Sequence, residues 1–250
     1  MNTKLLLPRT KSLVNIERRL FMKKTLSLGA LAMLTGCNLA DPTGPSVTER
    51  ILGAMSRWND EVQLAIFRPG ALAQVYTEAD ITEHFPFNGY YPEARHPIVP
   101  EAGFKLELSG LIGKKESWTL EQLRALPQES QITRHICVEG WSAIGKWGGV
   151  RFSDFLRLVE ADTSAKYVGF RCADNYNSSI DMATALHPQT ILALTFRDQV
   201  LPTKYGFPMK LRVPTKLGFK NPKYIMAMYV TNEYPGGFWE DQGYNWFSGS

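Results

Sequence analysis

The sequence predicts an α+β fold in which mixed β-sheets are joined by a few short helices. Many short segments rich in β-branched and aromatic residues lie between turns that contain Pro and Gly. These segments do not alternate regularly with helices and no G-x-G-x-x-G motif occurs, which disfavours a Rossmann-type nucleotide domain. Hydrophobic residues make up 44% of the chain and aromatic residues 12%, which excludes a disordered or fibrous protein.

The first 37 residues have the pattern of an export signal. A charged stretch precedes an apolar run from Thr25 to Gly36, which is far shorter than the ~20 residues that a membrane-spanning helix needs. Within the charged stretch, Arg18-Arg19-Leu20-Phe21-Met22-Lys23 resembles the twin-arginine export motif; the alternative is an ordinary secretory signal that happens to contain two arginines. Because the twin-arginine pathway carries proteins that are already folded, usually around a cofactor, the motif indicates a cofactor.

The end of the signal resembles a bacterial lipobox. In Leu34-Thr35-Gly36-Cys37 the cysteine becomes the lipidated first residue of the mature chain; the alternative is a chance cysteine beside a conventional cleavage site. Residues 38–48 are then expected to form a flexible tether, and residues 49–250 the folded domain. The net charge of +4 is mild and lies partly in the signal, so composition gives no case for nucleic acid as a partner.

The predicted elements follow in chain order. From Glu49 to Phe67 apolar residues recur at helical spacing, which predicts a helix packed on the rest of the protein. Residues 68–103 are rich in Pro, Gly and aromatic residues and are expected to form an ordered irregular segment. Short helices are predicted at 118–126, with a cap near Thr119, and at 154–160, with Ser153 as the cap. Strands are predicted at 104–112, 130–138, 166–173, 190–197, 209–214 and 224–232.

Cys137 stands at the end of a predicted strand, in the motif CVEGW. If Cys37 is lipidated, Cys137 and Cys172 remain, and in an oxidising compartment a disulfide between them is the simplest alternative to a functional thiol. His135 is expected to face the opposite side of the strand from Cys137 and is given no catalytic role.

The segment from Lys204 to Tyr224 is basic and contains no acidic residue. Such a run is usually a solvated face. Gly and Pro interrupt this one, however, and turns of this kind offer backbone amides that join the cations in holding an anion. Because an exported protein is a poor candidate for nucleic acid, the segment favours a phosphate-bearing cofactor. Its cations are Lys204, Lys210, Arg212, Lys216, Lys220 and Lys223.

Several motifs occur in a characteristic order: CVEGW, KWGGVRFSDFLRLVE, AKYVGFRC, ALHPQTILAL, GFPMKLRVPTKLGFKNPKYI and YPGGFW. They resemble the molybdopterin-binding domain of the sulfite oxidase superfamily, in the branch that contains periplasmic protein-methionine-sulfoxide reductases. The resemblance runs from about Asn88 to Asn232 and implies a sulfite-oxidase-type fold with a molybdenum–molybdopterin cofactor. It also implies that the thiolate of Cys137 binds molybdenum, and a soft thiolate suits a redox metal that a pterin dithiolene also ligates.

The resemblance implies further cofactor-binding positions, each at a residue that matches one of the family's motifs. Cys172 falls where the family has a Thr, and Tyr205 and Lys210 stand where the reductase branch has Asn and Arg. Lys210 can still bind a phosphate, as a point charge. The turn Lys220–Lys223 matches the family's phosphate-binding turn. The full set is Asn88, Tyr91, Cys137, Cys172, Tyr205, Lys210, Lys220, Asn221, Pro222 and Lys223.

The function expected from these observations is oxygen-atom transfer or two-electron redox chemistry by an exported molybdenum enzyme. By resemblance, the substrate is an S-oxide or N-oxide, either a small molecule or protein-bound, and the electron partner is a membrane b-type cytochrome. No C-x-x-C-H haem motif occurs in the sequence. Membrane contact is expected through a lipid anchor only, in the periplasm or cell envelope. The alternative is a non-catalytic envelope lipoprotein with a Cys137–Cys172 disulfide.

Overall fold

The computed structural model describes residues 47–66 and 70–250. The twin-arginine motif, Cys37 and the tether up to residue 46 lie outside the described residues. The chain divides into two compact units, Met1–Met55 and Ser56–Ser250. Residues 47–55 of the first unit are described and form the start of a helix, whereas the sheets and the candidate site belong to the second unit.

Helix α1 extends over Val47–Ile66. Its apolar stripe does not pack as the sequence predicts, because the side chain of Trp58 is 66% exposed and that of Ile66 is 72% exposed. The carboxylate of Asp60, in the same helix, accepts a hydrogen bond of 3.1 Å from the backbone N–H of Phe247. No helix among the described residues is both long and apolar enough to span a membrane.

The described residues form nine strands: β1 (Glu107–Gly110), β2 (Gln128–Ile136), β3 (Ser142–Arg151), β4 (Tyr167–Cys172), β5 (Asn177–Asp181), β6 (Ile191–Phe196), β7 (Gln199–Val200), β8 (Lys210–Arg212) and β9 (Ile225–Thr231). One sheet has the order β1-β9-β4-β5, with β1 parallel to β9 and the other pairs antiparallel. The other sheet has the order β2-β3-β6-β7, is antiparallel throughout, and includes β8 beside β6. The predicted α+β class with mixed sheets is confirmed.

Strand β3 is absent from the sequence prediction because it contains two consecutive glycines. Position 149 requires glycine because strand β6 approaches it closely: a Cβ there would lie 1.9 Å from the backbone oxygen of Leu192 in β6. The register between β3 and β6 also shifts between Gly148 and Gly149. Glycine in a strand often marks such a close backbone approach, so here it belongs to the sheet rather than to a turn.

The remaining α-helices in the described part of the chain are short: α2 (Leu120–Ala125), α3 (Phe152–Leu158) and α4 (Met182–Ala185). The predicted cap of α2 is confirmed, because the Thr119 hydroxyl accepts from the Gln122 N–H at 3.2 Å and the Gln122 side chain accepts from the Thr119 N–H at 2.8 Å. The predicted cap of α3 is wrong. Strand β3 runs directly into α3, so Arg151 occupies the N-cap position and Ser153 lies inside the helix.

Two hydrophobic clusters form the core. The larger one joins side chains from both sheets to α3, and it includes the fully buried Phe152 and Phe155. The smaller one surrounds Trp147 on β3, whose ring meets that of Phe85 edge to face at 5.4 Å between centroids. Trp147 and Phe152 are therefore core residues.

Candidate functional site

A tight hairpin loop presents Cys137. Strands β2 and β3 pair in register up to Ile136 and Ser142, and the loop between them holds the CVEGW motif. The Cys137 N–H donates to the Trp141 carbonyl at 2.9 Å, and the Gly140 N–H donates to the Cys137 carbonyl at 3.1 Å. Gly140 has a φ of 92°, a left-handed conformation that favours glycine. The glycine of the motif thus closes the turn that fixes the thiol.

The thiol of Cys137 is free and largely buried. Burial raises its pKa, and the nearby Glu139 carboxylate, with Oε2 3.5 Å from Sγ, adds to the effect. The Trp141 indole N–H donates to the same oxygen at 2.9 Å and holds the carboxylate in place. Because a thiol ligand binds metal as the thiolate, a metal here would displace the proton that burial favours.

Cys172 is also a free, buried cysteine. The Cys137–Cys172 disulfide of the alternative function is therefore not formed in the structure. Burial raises the pKa of the Cys172 thiol well above its usual value. Its side chain packs in the larger core cluster, behind the pocket described next, rather than among the residues that line it.

Cys137 opens into a pocket with about 770 Å³ of empty space, part of it at the open mouth. Five chain segments meet there: 88–90, the hairpin loop at 137–139, 174–176, the basic segment at 218–223, and 239–244. Of the positions predicted to bind cofactor, the pocket is lined by Asn88, Cys137, Asn221, Pro222 and Lys223.

Lys223 is the cation of the basic segment that lines the pocket. Its ammonium donates to the Asn88 carbonyl at 2.5 Å and lies 4.2 Å from the centroid of the Phe87 ring. Burial lowers the pKa of Lys223 to about 8, despite the opposing influence of the Asp174 carboxylate. An anionic ligand in the pocket would raise this pKa again and stabilise the charged ammonium.

Arg212 organises the turn that carries Asn221. The guanidinium donates to the Asn221 side-chain oxygen at 3.0 Å and to the Thr133 hydroxyl at 3.1 Å, and the same Asn221 oxygen accepts from the Val213 N–H at 2.8 Å. Arg212 is fully buried, and burial lowers its pKa to about 9. Its role as a support for the turn comes from the tertiary structure, since in the sequence it is one cation among six.

Lys210 is fully buried on β8. Its ammonium lies 4.8 Å from the centroid of the Trp147 ring, and its pKa is lowered well below the usual value, by burial first and then by the charges of Lys223 and Arg212. None of these three cations forms an ion pair with an acidic side chain of the described residues.

Five predicted positions do not line the pocket: Cys172 and Lys210, described above, and three others. The Lys220 ammonium forms a buried ion pair with Glu240 on the far side of the turn. The Tyr205 hydroxyl donates to the Phe85 carbonyl at 2.6 Å inside the smaller core cluster. The Tyr91 hydroxyl donates to Asp174 Oδ2 at 2.8 Å, and this carboxylate does belong to the pocket wall. Lys220 and Tyr205 thus have partners within the protein. Tyr91 does not line the pocket itself but holds the carboxylate of Asp174, which does.

His135 faces the same way as Cys137, so the sequence expectation is wrong. Side chains two residues apart in a strand share a face, and Thr133, His135 and Cys137 are all buried. Burial lowers the pKa of His135 well below its usual value, and the charges of Lys210, Arg212 and Lys223 lower it further. The two-residue period of a strand, applied to residues 135 and 137, predicts from the sequence that His135 and Cys137 lie on the same face.

The chemistry of the site fits a metal-bearing anionic cofactor. It offers one soft thiol ligand, and no group of three or more His, Cys, Asp or Glu side chains that could hold a metal occurs in the described residues. It also offers buried cations without acidic partners, and a buried imidazole whose two nitrogens have no hydrogen-bond partner among the described residues. Buried polar groups are normally satisfied, so an anion with several acceptors fits this site.

Comparison with known proteins also indicates a molybdopterin cofactor. Residues 93–239 match the oxidoreductase molybdopterin binding domain family. The chain is 61% identical over 233 residues, 93% of this chain and 88% of its relative, to the "Putative protein-methionine-sulfoxide reductase subunit YedZ1" of Azospira oryzae. It is 30% identical over 246 residues, 90% of this chain and 76% of its relative, to the protein-methionine-sulfoxide reductase catalytic subunit MsrP of Campylobacter jejuni.

A solved structure shares the fold. The sulfane dehydrogenase SoxCD from Paracoccus pantotrophus superposes with a TM-score of 0.53 at 15% identity, covering 79% of this chain and 55% of that one. At this level of identity the likeness concerns the fold alone. With the family match over more than half of the chain, the chain belongs to the molybdopterin-binding oxidoreductases of the sulfite oxidase superfamily, and it is a molybdopterin-dependent enzyme.

Proposed function

We propose that this enzyme reduces an S-oxide, either methionine sulfoxide in a protein or a small sulfoxide, with electrons from a membrane b-type cytochrome. The observation that carries the proposal is the pocket in which the Cys137 thiol, the turn Asn221–Lys223 and an open aromatic mouth meet. The names of the relatives, which are methionine-sulfoxide reductase subunits, support the reaction class.

The residues divide the work of holding the cofactor. Cys137 would bind molybdenum as a thiolate, and the ammonium of Lys223 would hold the anionic part of the pterin. The bound molybdenum–molybdopterin supplies the two-electron redox and oxygen-transfer chemistry, while the protein supplies position, electrostatics and access.

Reduction of a sulfoxide to a thioether consumes two electrons and two protons and releases one water molecule. Glu139 is placed to deliver protons, because its carboxyl oxygen lies 3.5 Å from Cys137 Sγ and the residue lines the pocket. The hydrogen bond from Trp141 fixes that carboxyl group. A proton donor must reach the reacting oxygen directly or through one water molecule, and the hairpin loop provides this proximity.

The mouth of the pocket suits a thioether side chain. Tyr90, Trp239 and Tyr244 line the pocket there, with the buried Tyr176 further inside, and the rings of Tyr90 and Phe238 stack at 4.5 Å between centroids. Tyr90 and Tyr244 are each about 40% exposed, so a side chain on another protein can reach the rim. Sulfur makes favourable contacts with aromatic rings, worth about 0.3–1.5 kcal/mol each.

Export and anchoring form a separate part of the proposal, supported by the sequence of the first 37 residues. Replacing Arg18-Arg19 with Lys-Lys should leave the precursor in the cytoplasm. Replacing Cys37 with Ala should abolish labelling with a radioactive fatty acid. Normal export of the first variant contradicts the twin-arginine route, and an unlabelled wild type contradicts the lipid anchor.

Reduced viologen dye as the electron donor tests the reaction without the membrane partner. The wild type should oxidise the dye when methionine sulfoxide is added and produce methionine, and Cys137→Ser should not. Trimethylamine N-oxide and sulfite with ferricyanide serve as comparison substrates. Turnover of the N-oxide alone, or oxidation of sulfite alone, contradicts the S-oxide proposal while leaving the cofactor assignment intact.

A further inference from the structure

His135 is enclosed on every side by the protein, with none of its surface exposed. It lies at the end of β2, opposite Ala143 in the register with β3. Its ring lies 5.7 Å from that of Trp141 and 5.9 Å from that of Phe85, measured between centroids. Strand pairing and two aromatic neighbours therefore fix the imidazole two residues before the cysteine that would bind the metal.

The two ring nitrogens of His135 have no hydrogen-bond partner among residues 47–66 and 70–250. The contrast with His187 shows how unusual this is, because His187 Nε2 contacts the Ala71 carbonyl at 3.1 Å and its Nδ1 accepts from the Gln189 N–H at 3.2 Å. A neutral imidazole carries one donor and one acceptor, and burying both unsatisfied is costly. Such a group calls for a partner that the chain itself does not provide.

Gly218 brings the imidazole to the wall of the pocket. This residue lines the pocket, and a Cβ on it would lie 2.5 Å from His135 Nε2. Any other residue at 218 would collide with the ring or cover it. The ring itself is fully enclosed and does not line the pocket, so a ligand would reach Nε2 by occupying the place beside Gly218 that a side chain would otherwise fill.

The charges around His135 indicate what the missing partner is. Lys210, Arg212 and Lys223 act on it electrostatically and have no acidic partner within ion-pair distance in the described residues. A carboxylate or a phosphate would accept from a ring N–H and pair with the cations, whereas a cationic ligand would be repelled by Lys210, Arg212 and Lys223 and an apolar ligand would satisfy none of these groups. A phosphate-bearing pterin meets this requirement.

We propose that the His135 ring N–H donates a hydrogen bond to an anionic oxygen of the molybdopterin, which makes His135 a cofactor-binding residue beside Cys137. The inference rests on the cofactor assignment. It adds a histidine to the set of residues expected to hold the cofactor.

Two substitutions test the role of His135 in enzyme produced by a host that makes the cofactor. His135→Leu removes the donor and keeps a buried apolar volume, and His135→Gln retains one N–H donor. His187→Leu is the matched control, because this buried histidine has its partners within the protein. For each, molybdenum and pterin per chain, the rate of pterin release, and the melting temperatures with and without cofactor are measured.

For His135→Leu we expect pterin release to be faster by about tenfold or more, as for the loss of a hydrogen bond to a charged group. The cofactor-free form should melt at the same temperature as the wild type or higher, because an unsatisfied buried group has been removed. His135→Gln should recover part of the retention, and His187→Leu should retain pterin normally.

Unchanged pterin release in both His135 variants would overturn the inference. An equal loss of stability with and without cofactor in His135→Leu would also overturn it, because that result assigns the residue a structural role. Wild-type protein without molybdenum or pterin would overturn the cofactor assignment itself, which separates the two failures.

Discussion

Replacing Lys220 with Met should cost about 3–5 kcal/mol of folding free energy, because it leaves a buried carboxylate without its counter-charge. The side chains of Lys220 and Glu240 are 1% and 0% exposed, and Glu240 Oε2 has no hydrogen-bond partner in the described part of the chain. The remaining contact to this carboxylate, from the Ser178 hydroxyl, is long at 3.4 Å. For a domain of this size the loss corresponds to a fall in melting temperature of roughly 6–20 °C.

Thermal unfolding followed by circular dichroism measures this effect. The double variant Lys220→Met, Glu240→Gln should melt closer to the wild type than either single variant, because no uncompensated charge remains. Lys114→Met, in an exposed ion pair with Glu160, is the control and should leave the melting temperature unchanged. Pterin per folded chain should stay at the wild-type level in Lys220→Met. An unchanged melting temperature with loss of pterin would refute the reasoning and return Lys220 to the phosphate-binding turn.

Three further predictions concern the site and the sheet. Cys137→Ser should abolish turnover and change the spectrum of the metal while the fold persists, whereas Cys172→Ser should keep molybdenum and activity; a matched loss of both stability and metal in the two variants contradicts this. Lys223 has a pKa of about 8 in the folded protein against 10.5 for the free side chain, so the unfolded chain binds more protons between these values. Stability of the cofactor-free protein should therefore rise with pH across that window, and chemical denaturation should show a smaller rise in Lys223→Met; an equal slope in both proteins contradicts the assignment. Gly149→Ala should prevent folding, because its Cβ would lie 1.9 Å from a backbone oxygen of β6, whereas Gly70→Ala, with no atom within 4 Å, should give the wild-type circular dichroism spectrum; a folded Gly149→Ala protein would show that the sheet can separate at this point.

Local patterns in the sequence determined the elements whose signals are short-range. The Thr119 cap and the strand predicted at 130–138 depend on residues within a few positions of one another; the cap occurs as predicted, and the strand occurs as β2, which ends at Ile136, just before Cys137. The ordered motifs identified the family, because they record the whole fold rather than one segment. Local patterns did not predict strand β3. Its glycines are required by the close approach of β6, which is distant in sequence.

The tertiary structure decided which cations serve the pocket. Lys220 and Lys223 belong to the same predicted turn, yet Lys223 meets Asn88 at the pocket and Lys220 meets Glu240 behind it. These partners are distant in sequence, and the sequence does not show which way a charged side chain points. The same holds for His135, whose lack of a partner becomes visible only once every neighbouring group has been placed around it. The sequence thus determined which cations and which histidine the protein has. The packing of distant segments around Cys137 determined which of these side chains have no partner within the protein and can bind a ligand.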